Sequence, residues 1–225
     1  MSIDVRSVAP MAVGVMLSLW LARQVRKPSR IVGRVFLWLM NRSHGSVTEW
    51  GLSHVTFAKD AAILDVGCGG GRTIARLANA VPDGRVSGVD ISAESVATSR
   101  QTNAAGIKQG RVTIERATAS QLPFAADTFD IVTAVETHYY WPDAGAGIRE
   151  IRRVLRPGGQ FVIIAETYRG ETLGFALRPV MALIGAKYLT VREHQALLED
   201  NGFGDVVVDT EARKGWLCAI GRRPA

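Results

Sequence analysis

Ala61-Ala62-Ile63-Leu64-Asp65-Val66-Gly67-Cys68-Gly69-Gly70-Gly71 is an apolar run that closes on an acid and a glycine cluster, and it leads directly into the helical run Arg72 to Ala80. It reads as a strand, a tight glycine turn and a helix start. Glycine serves where the backbone takes positive φ or approaches a ligand closely, and a helix start aims free N–H groups outward. The turn is therefore a nucleotide-type ligand site. The dinucleotide fingerprint G-x-G-x-x-G, counted from Gly67, requires glycine at position 72, where Arg72 stands. That argues against a nicotinamide dinucleotide. Asp65, at the end of a buried strand, suits a ligand carrying an ammonium group, because an opposite charge favours the ionised carboxylate. S-adenosylmethionine carries an ammonium and a sulfonium. The bland alternative is a strand-to-helix turn with no ligand.

Three further stretches bear on this. Val86-Ser87-Gly88-Val89-Asp90-Ile91-Ser92 is a second apolar strand ending in an acid. Leu122-Pro123-Phe124 is followed by Asp127-Thr128-Phe129-Asp130-Ile131-Val132, and Arg153-Val154-Leu155-Arg156-Pro157-Gly158-Gly159 comes later. With the glycine turn, these make residues Met40 to Arg222 resemble the class I S-adenosylmethionine-dependent methyltransferases. That broad group includes the ubiquinone and menaquinone biosynthesis C-methyltransferases and many small-molecule methyltransferases. The resemblance implies a cofactor site built from Asp65, Gly67, Cys68 and Gly69, with Asp90 accepting the ribose hydroxyls, Ile91 beside it, and Glu136 at the methionine end. Asp90 lies 23 residues after Gly67, and Ser92 is available as the helix cap in its place. Where the family usually has an aspartate for the adenine amino group, this chain has Thr118, so the backbone around Ala119 and Ser120 becomes the expected adenine partner. The Arg153–Gly159 stretch is expected to end a helix and reverse the chain.

Alternating signals place strands near 61–66, 85–91, 111–116, 129–135, 160–166, 205–210 and 215–221, with helices between most of them. The expected fold is α/β: a doubly wound, Rossmann-like seven-stranded sheet, mostly parallel, with an antiparallel last strand. At 225 residues and 47% hydrophobic, the chain has material for one full core. Two cysteines 150 residues apart, Cys68 and Cys218, point to a reducing, cytoplasmic compartment and to packed thiols.

The chemistry is expected at the tip of the fourth strand, in Glu136-Thr137-His138-Tyr139-Tyr140-Trp141-Pro142. The Asp/Asn-Pro-Pro-aromatic signature common in enzymes that methylate nucleic-acid or peptide nitrogens is absent, which argues against DNA. A methyl sulfonium is already activated, so catalysis reduces to aligning a nucleophile and removing its proton where needed. His138 is the expected general base, Glu136 its helper or a cofactor ligand, and Tyr139 a ring face or hydroxyl for cation and substrate. The alternative for His138 is a packing or orienting role. The segment Met40 to Leu52 resembles the family's lead-in helix, with Met40, His44 and Trp50 as candidate covers for the cofactor. No metal site is expected.

Two apolar segments stand apart from this pattern. Residues 1–40 hold fifteen uncharged residues from Val8 to Ala22, then Arg23, Arg26, Lys27 and Arg30, then an apolar return from Ile31 to Met40. Fifteen is short for a membrane span, which needs about 20. The open readings are a helix on an anionic membrane surface, a cap over the site, or packing on the sheet or on a second subunit of a homodimer. Thr172 to Ala186 is a second candidate cap, near 170–190 within the 41–225 methyltransferase domain. Two apolar caps would suit a small lipophilic or aromatic methyl acceptor. The net charge of +6 leaves an RNA methyltransferase as a rival, and a non-catalytic S-adenosylmethionine-binding protein is a second.

Overall fold

The computed structural model describes residues 45–170 and 185–225. The N-terminal segment, with Met40 and His44, lies outside these residues, as does the candidate cap except Gly185 and Ala186.

The central strand β1, Ala62–Val66, is apolar on both faces, with Ile63, Leu64 and Val66 all buried. Such a run suits a strand covered by helices on both sides. It pairs in parallel with β2, Arg85–Asp90, and with β4, Phe129–Val135. Outward from these lie β3, Val112–Arg116, beside β2, and β5, Leu155–Ala165, beside β4. Strand β7, Trp216–Arg222, runs antiparallel between β5 and β6, Gly204–Glu211. The order is β3-β2-β1-β4-β5-β7-β6. The sheet is thus seven-stranded, and β7 is its antiparallel member.

Alternate side chains along each strand feed two cores. On one face, Ile63 and Val86 pack with Ile74, Leu77 and Ala78 of α2, Arg72–Ala80, and with Val96 of α3, Ala93–Thr102. Helix α1, Gly45–Leu52, joins this layer through Val47. The short α4, Ala104–Lys108, follows α3. On the other face, Leu64, Val132 and Phe161 pack with Ile148 and Ile151 of α5, Ala144–Val154, and with Leu198 of α6, Val191–Glu199. Among the described residues no helix is long and apolar enough to cross a membrane.

Polar residues set the helix starts. Ser92 caps α3 by accepting from the Ser95 N–H at 3.3 Å, which leaves Asp90 free of that duty. Gly71 caps α2 with φ of 82°, and a Cβ there would stand 2.4 Å from Ser99 Oγ, so only glycine fits against α3.

One expected feature differs. Arg153–Gly159 does end a helix, since α5 stops at Val154, but the fifth strand begins at once at Leu155, so that Pro157 and Gly158 lie inside it and not before it. The ladder to β4 instead shifts register between Phe129–Leu155 and Ile131–Gln160. A proline without an N–H and Gly158 at φ 78° interrupt pairing without ending the strand.

Candidate functional site

The glycine turn is zipped to the tip of β2. The N–H groups of Gly67 and Cys68 both donate to the Val89 carbonyl, at 2.8 and 3.0 Å. Gly69 N–H donates to one carboxylate oxygen of Asp90 at 2.9 Å, and Ser92 N–H to the other at 2.8 Å. Burial pushes the Asp90 carboxyl up, and the bonds from Ser92 and Gly69 oppose that. A carboxylate offers about four lone-pair positions, so each oxygen keeps capacity for a hydroxyl donor. Gly67 has φ of 80°, and a Cβ there would come within 2.2 Å of Thr137 Oγ1, so the turn also packs on the tip of β4. Thr137 in turn accepts from Trp141 Nε1 at 3.3 Å.

Behind the turn, Asp65 is 2% exposed and accepts from Thr133 Oγ1 at 2.7 Å. Burial raises its carboxyl to about 7, the Thr133 bond offsets part of this, and nearby Asp90 adds to it. Cys68 is buried beside Ser99, and burial pushes its thiol up, with Asp90 and Asp65 pushing the same way. Cys218 is likewise buried, pushed up to about 12 by burial. Neither thiol has the low pKa of a nucleophile.

Beyond Asp90 opens a cleft of about 580 Å³ lined by Ile91, Arg116, Ala117, Thr118, Gln121, Leu122 and Pro123. Ile91 stands at its lip with 45% of its surface exposed, an apolar face next to the acid. Thr118 lines the cleft. Ala119 instead packs under α5, where a Cβ on Gly147 would meet its methyl at 3.3 Å, and the exposed Ser120 lies 3.4 Å from the Thr118 hydroxyl. The floor is pinned by Glu150, which accepts from Leu122 N–H at 3.0 Å and is held by Arg153 at 2.8 Å. Gln121 is a lining residue that the sequence reading did not single out.

At the tip of β4, Glu136 takes a left-handed φ of 57°. Its carboxylate accepts from the Glu166 N–H at the end of β5 and from the Tyr139 hydroxyl. Burial pushes the Tyr139 phenol well above its usual range, and Glu136 adds to that. The 3₁₀ turn His138–Tyr140 follows, so the structure brings Glu136, His138 and Tyr139 together. His138, however, is 1% exposed, and its Nε2 lies 2.9 Å from Nε2 of His194 in α6. Burial, then His194, push its pKa well below the usual imidazole value. The ring expected to serve as an accessible base is thus an interior one. Its partner is 56 residues away in sequence, and no local pattern signals it. Trp50, expected as a cofactor cover, has its ring contacts with His54 and with Trp216 of β7. Among the described residues no cluster of three or more His, Cys, Asp or Glu could hold a metal ion.

Residues 63–159 match the methyltransferase domain family. Methyltransferase GfsG of Streptomyces halstedii is 37% identical over 108 residues, which cover 48% of this chain and 38% of that protein. The ubiquinone/menaquinone biosynthesis C-methyltransferase UbiE of Geotalea daltonii is 33% identical over 117 residues, covering 52% of this chain and 50% of that protein. The chain therefore spans half or less of these curated relatives. Among solved structures, a chain of the Haloferax volcanii complex between the Trm112 methyltransferase activator and a methyltransferase superposes with a TM-score of 0.71 at 20% identity, covering 86% of this chain and 95% of that one. That likeness is one of fold. Residues 63–159, with their glycine turn, thus carry a methyltransferase domain match on a Rossmann-like, mostly parallel seven-stranded sheet.

The residues present fit S-adenosylmethionine. The Asp90 carboxylate has spare acceptor capacity that would suit a diol, the exposed Ile91 would suit a flat base, and ionised Asp65 would gain from a cationic partner.

Proposed function

We propose that this chain transfers a methyl group from S-adenosylmethionine to a small acceptor that is lipophilic or aromatic. The observation that carries the reading is the Asp90 carboxylate, tied to the glycine turn through Gly69 and directly followed in the chain by Ile91, which lines the cleft with Thr118. In that reading Asp90 holds the ribose hydroxyls, Ile91 and Thr118 the adenine, and Asp65 the ammonium end. S-adenosylmethionine supplies an electrophilic methyl carbon on a sulfonium. The chain's own work is alignment, exclusion of water and disposal of a proton.

In this reading the acceptor meets the turn from Glu136 to Trp141, with Tyr168 packed on the same core as Tyr139 and Trp141, and Tyr188 next in the chain to the Lys187 that donates to Tyr139 O. The aromatic character of this wall supports a flat or greasy acceptor, and the names of the relatives, a quinone-biosynthesis C-methyltransferase among them, support a small molecule. Glu136, with its carboxylate held between Tyr139 and the end of β5, is the group to receive a proton from a hydroxyl acceptor. His138 then orients the turn and does not abstract the proton.

The test is transfer of labelled methyl from S-adenosylmethionine to extracts of the source cells separated into lipid, small-molecule and RNA fractions. Label in the lipid or small-molecule fraction is the expected result. Label confined to RNA, or cofactor binding with no transfer to any fraction, would overturn it.

A further inference from the structure

His194 has no part in the cofactor site, yet it is 1% exposed and lies against the turn that carries Tyr139. Its hydrogen bonds fix where the protons are. Its Nδ1 lies 2.8 Å from the Thr190 carbonyl, and a carbonyl only accepts, so Nδ1 carries the proton. A neutral imidazole has one N–H, so Nε2 of His194 is bare and accepts. The group 2.9 Å away is Nε2 of His138, which must therefore donate. That leaves His138 Nδ1 bare and, being buried, without a hydrogen-bond partner. Both rings are held neutral, since burial lowers the pKa of each.

We propose that His194 is a positioning residue: the chain from the Thr190 carbonyl through His194 to His138 locks the His138 tautomer and thereby holds the Tyr139 hydroxyl on Glu136. The turn between them is a single 3₁₀ turn of three residues, closed by Tyr140 N–H to Thr137 O at 3.0 Å. So short a turn has little stiffness of its own. The rings of His138 and Tyr139 are in contact, with centroids 4.8 Å apart, so rotation of one displaces the other. The segment ahead of α6 grips the same turn, with Lys187 N–H donating to Tyr139 O at 2.8 Å and Lys187 Nζ to Pro142 O at 3.1 Å. Helix α6 and its lead-in thus hold the turn at two points and Pro142 just beyond it at a third, and the imidazole pair is the interior contact. The consequence for catalysis rests on reading Glu136–Trp141 as the acceptor wall.

The experiment is ¹⁵N-histidine and ¹³C-tyrosine NMR of the full chain, with His194→Leu and His194→Gln beside the wild type. The wild type is expected to show a proton on Nδ1 of His194 and on Nε2 of His138. His194→Leu removes the acceptor and should shift the Tyr139 resonance and the His138 tautomer signals. His194→Gln places an amide oxygen near the old Nε2 and should restore both. A proton on Nε2 of His194, or a Tyr139 resonance that ignores His194→Leu while the protein melts normally, would overturn the proposal. For the acceptor fraction that takes label, kcat should fall about tenfold in His194→Leu with KM for S-adenosylmethionine unchanged. Unaltered kcat would also overturn it. A wild type with the expected tautomers and no transfer to any fraction would sink the functional reading and leave the positioning link standing.

Discussion

Thr133 Oγ1 donates to Asp65 Oδ1 at 2.7 Å across the β1–β4 pair, and this hydroxyl is the hydrogen bond that partly offsets the burial of the acid. The carboxyl is still raised from 3.8 to about 7. A group whose pKa is higher in the folded state contributes stability that is complete below the unfolded pKa and is lost as pH rises through the folded one. Ionised Asp65 therefore costs the ligand-free protein up to about 4 kcal/mol above pH 7. Asp65→Asn should make the free protein more stable at pH 8 by a large part of that figure and hardly change it at pH 4, read by urea unfolding at both values. The same variant should bind S-adenosylmethionine more weakly, because an ammonium favours the ionised acid. A variant no more stable than the wild type at pH 8 would show that Asp65 is not strained by its burial.

Asp90→Ala removes the acceptors for Gly69 and Ser92 and, in the proposed complex, for two ribose hydroxyls. Charge-assisted bonds are worth roughly 1.5–3 kcal/mol each, so affinity should fall at least tenfold. Calorimetry with S-adenosylhomocysteine measures it, and unchanged affinity would remove Asp90 from the site.

Gly67 and Gly110 both have positive φ, 80° and 71°, but only Gly67 is crowded. Gly110→Ala meets nothing within 4 Å and should cost only the backbone term, about 1 kcal/mol. Gly67→Ala adds a collision with Thr137, 2.2 Å from the new Cβ to Oγ1, and should cost about 3 kcal/mol, or roughly 6–12 °C in Tm. Equal melting shifts in the two variants would show that the turn is not tightly packed on β4.

The parts of this fold written locally were readable in the chain. Ile63 to Gly71 announces strand, turn and helix by its own pattern, and Ser92 announces a cap that forms at 3.3 Å. Pro157 and Gly158 misled because the same residues that end a helix also mark a bulge, and only the neighbouring strand decides which. Thr133, Gln121 and His194 were silent for a related reason. Each matters through a partner brought in by the sheet, as when α6 carries His194 against the tip of β4. Burial is the other non-local quantity, and it turned His138 from an expected base into an interior ring.

If Glu136 receives the acceptor's proton, Glu136→Gln should keep the bond from Glu166 N–H, and hence the fold, while losing the base. Methyl transfer to a hydroxyl acceptor should fall about 10²-fold, with S-adenosylhomocysteine affinity nearly intact. Transfer to a carbon or sulfur acceptor that ionises unaided would be spared. A variant with most of its activity on a phenol would show that Glu136 only braces β4 against β5.

Arg23, Arg26, Lys27 and Arg30 follow the uncharged stretch Val8 to Ala22. We propose that together they form a membrane-surface segment, bringing the domain to a lipophilic acceptor. Each base near an anionic surface contributes about 1 kcal/mol, so replacing all four by Gln in the full chain should weaken binding to phosphatidylserine vesicles by about 10²–10³-fold. Raising the salt should release the wild type in the same way, because the attraction decays within a Debye length. A cap over the site predicts a different pattern: vesicle binding absent in both proteins, and turnover of a water-soluble acceptor lowered when the segment is altered. Cosedimentation and turnover measured on the same two proteins separate the two outcomes. Identical behaviour in both assays would leave these residues with a packing role alone.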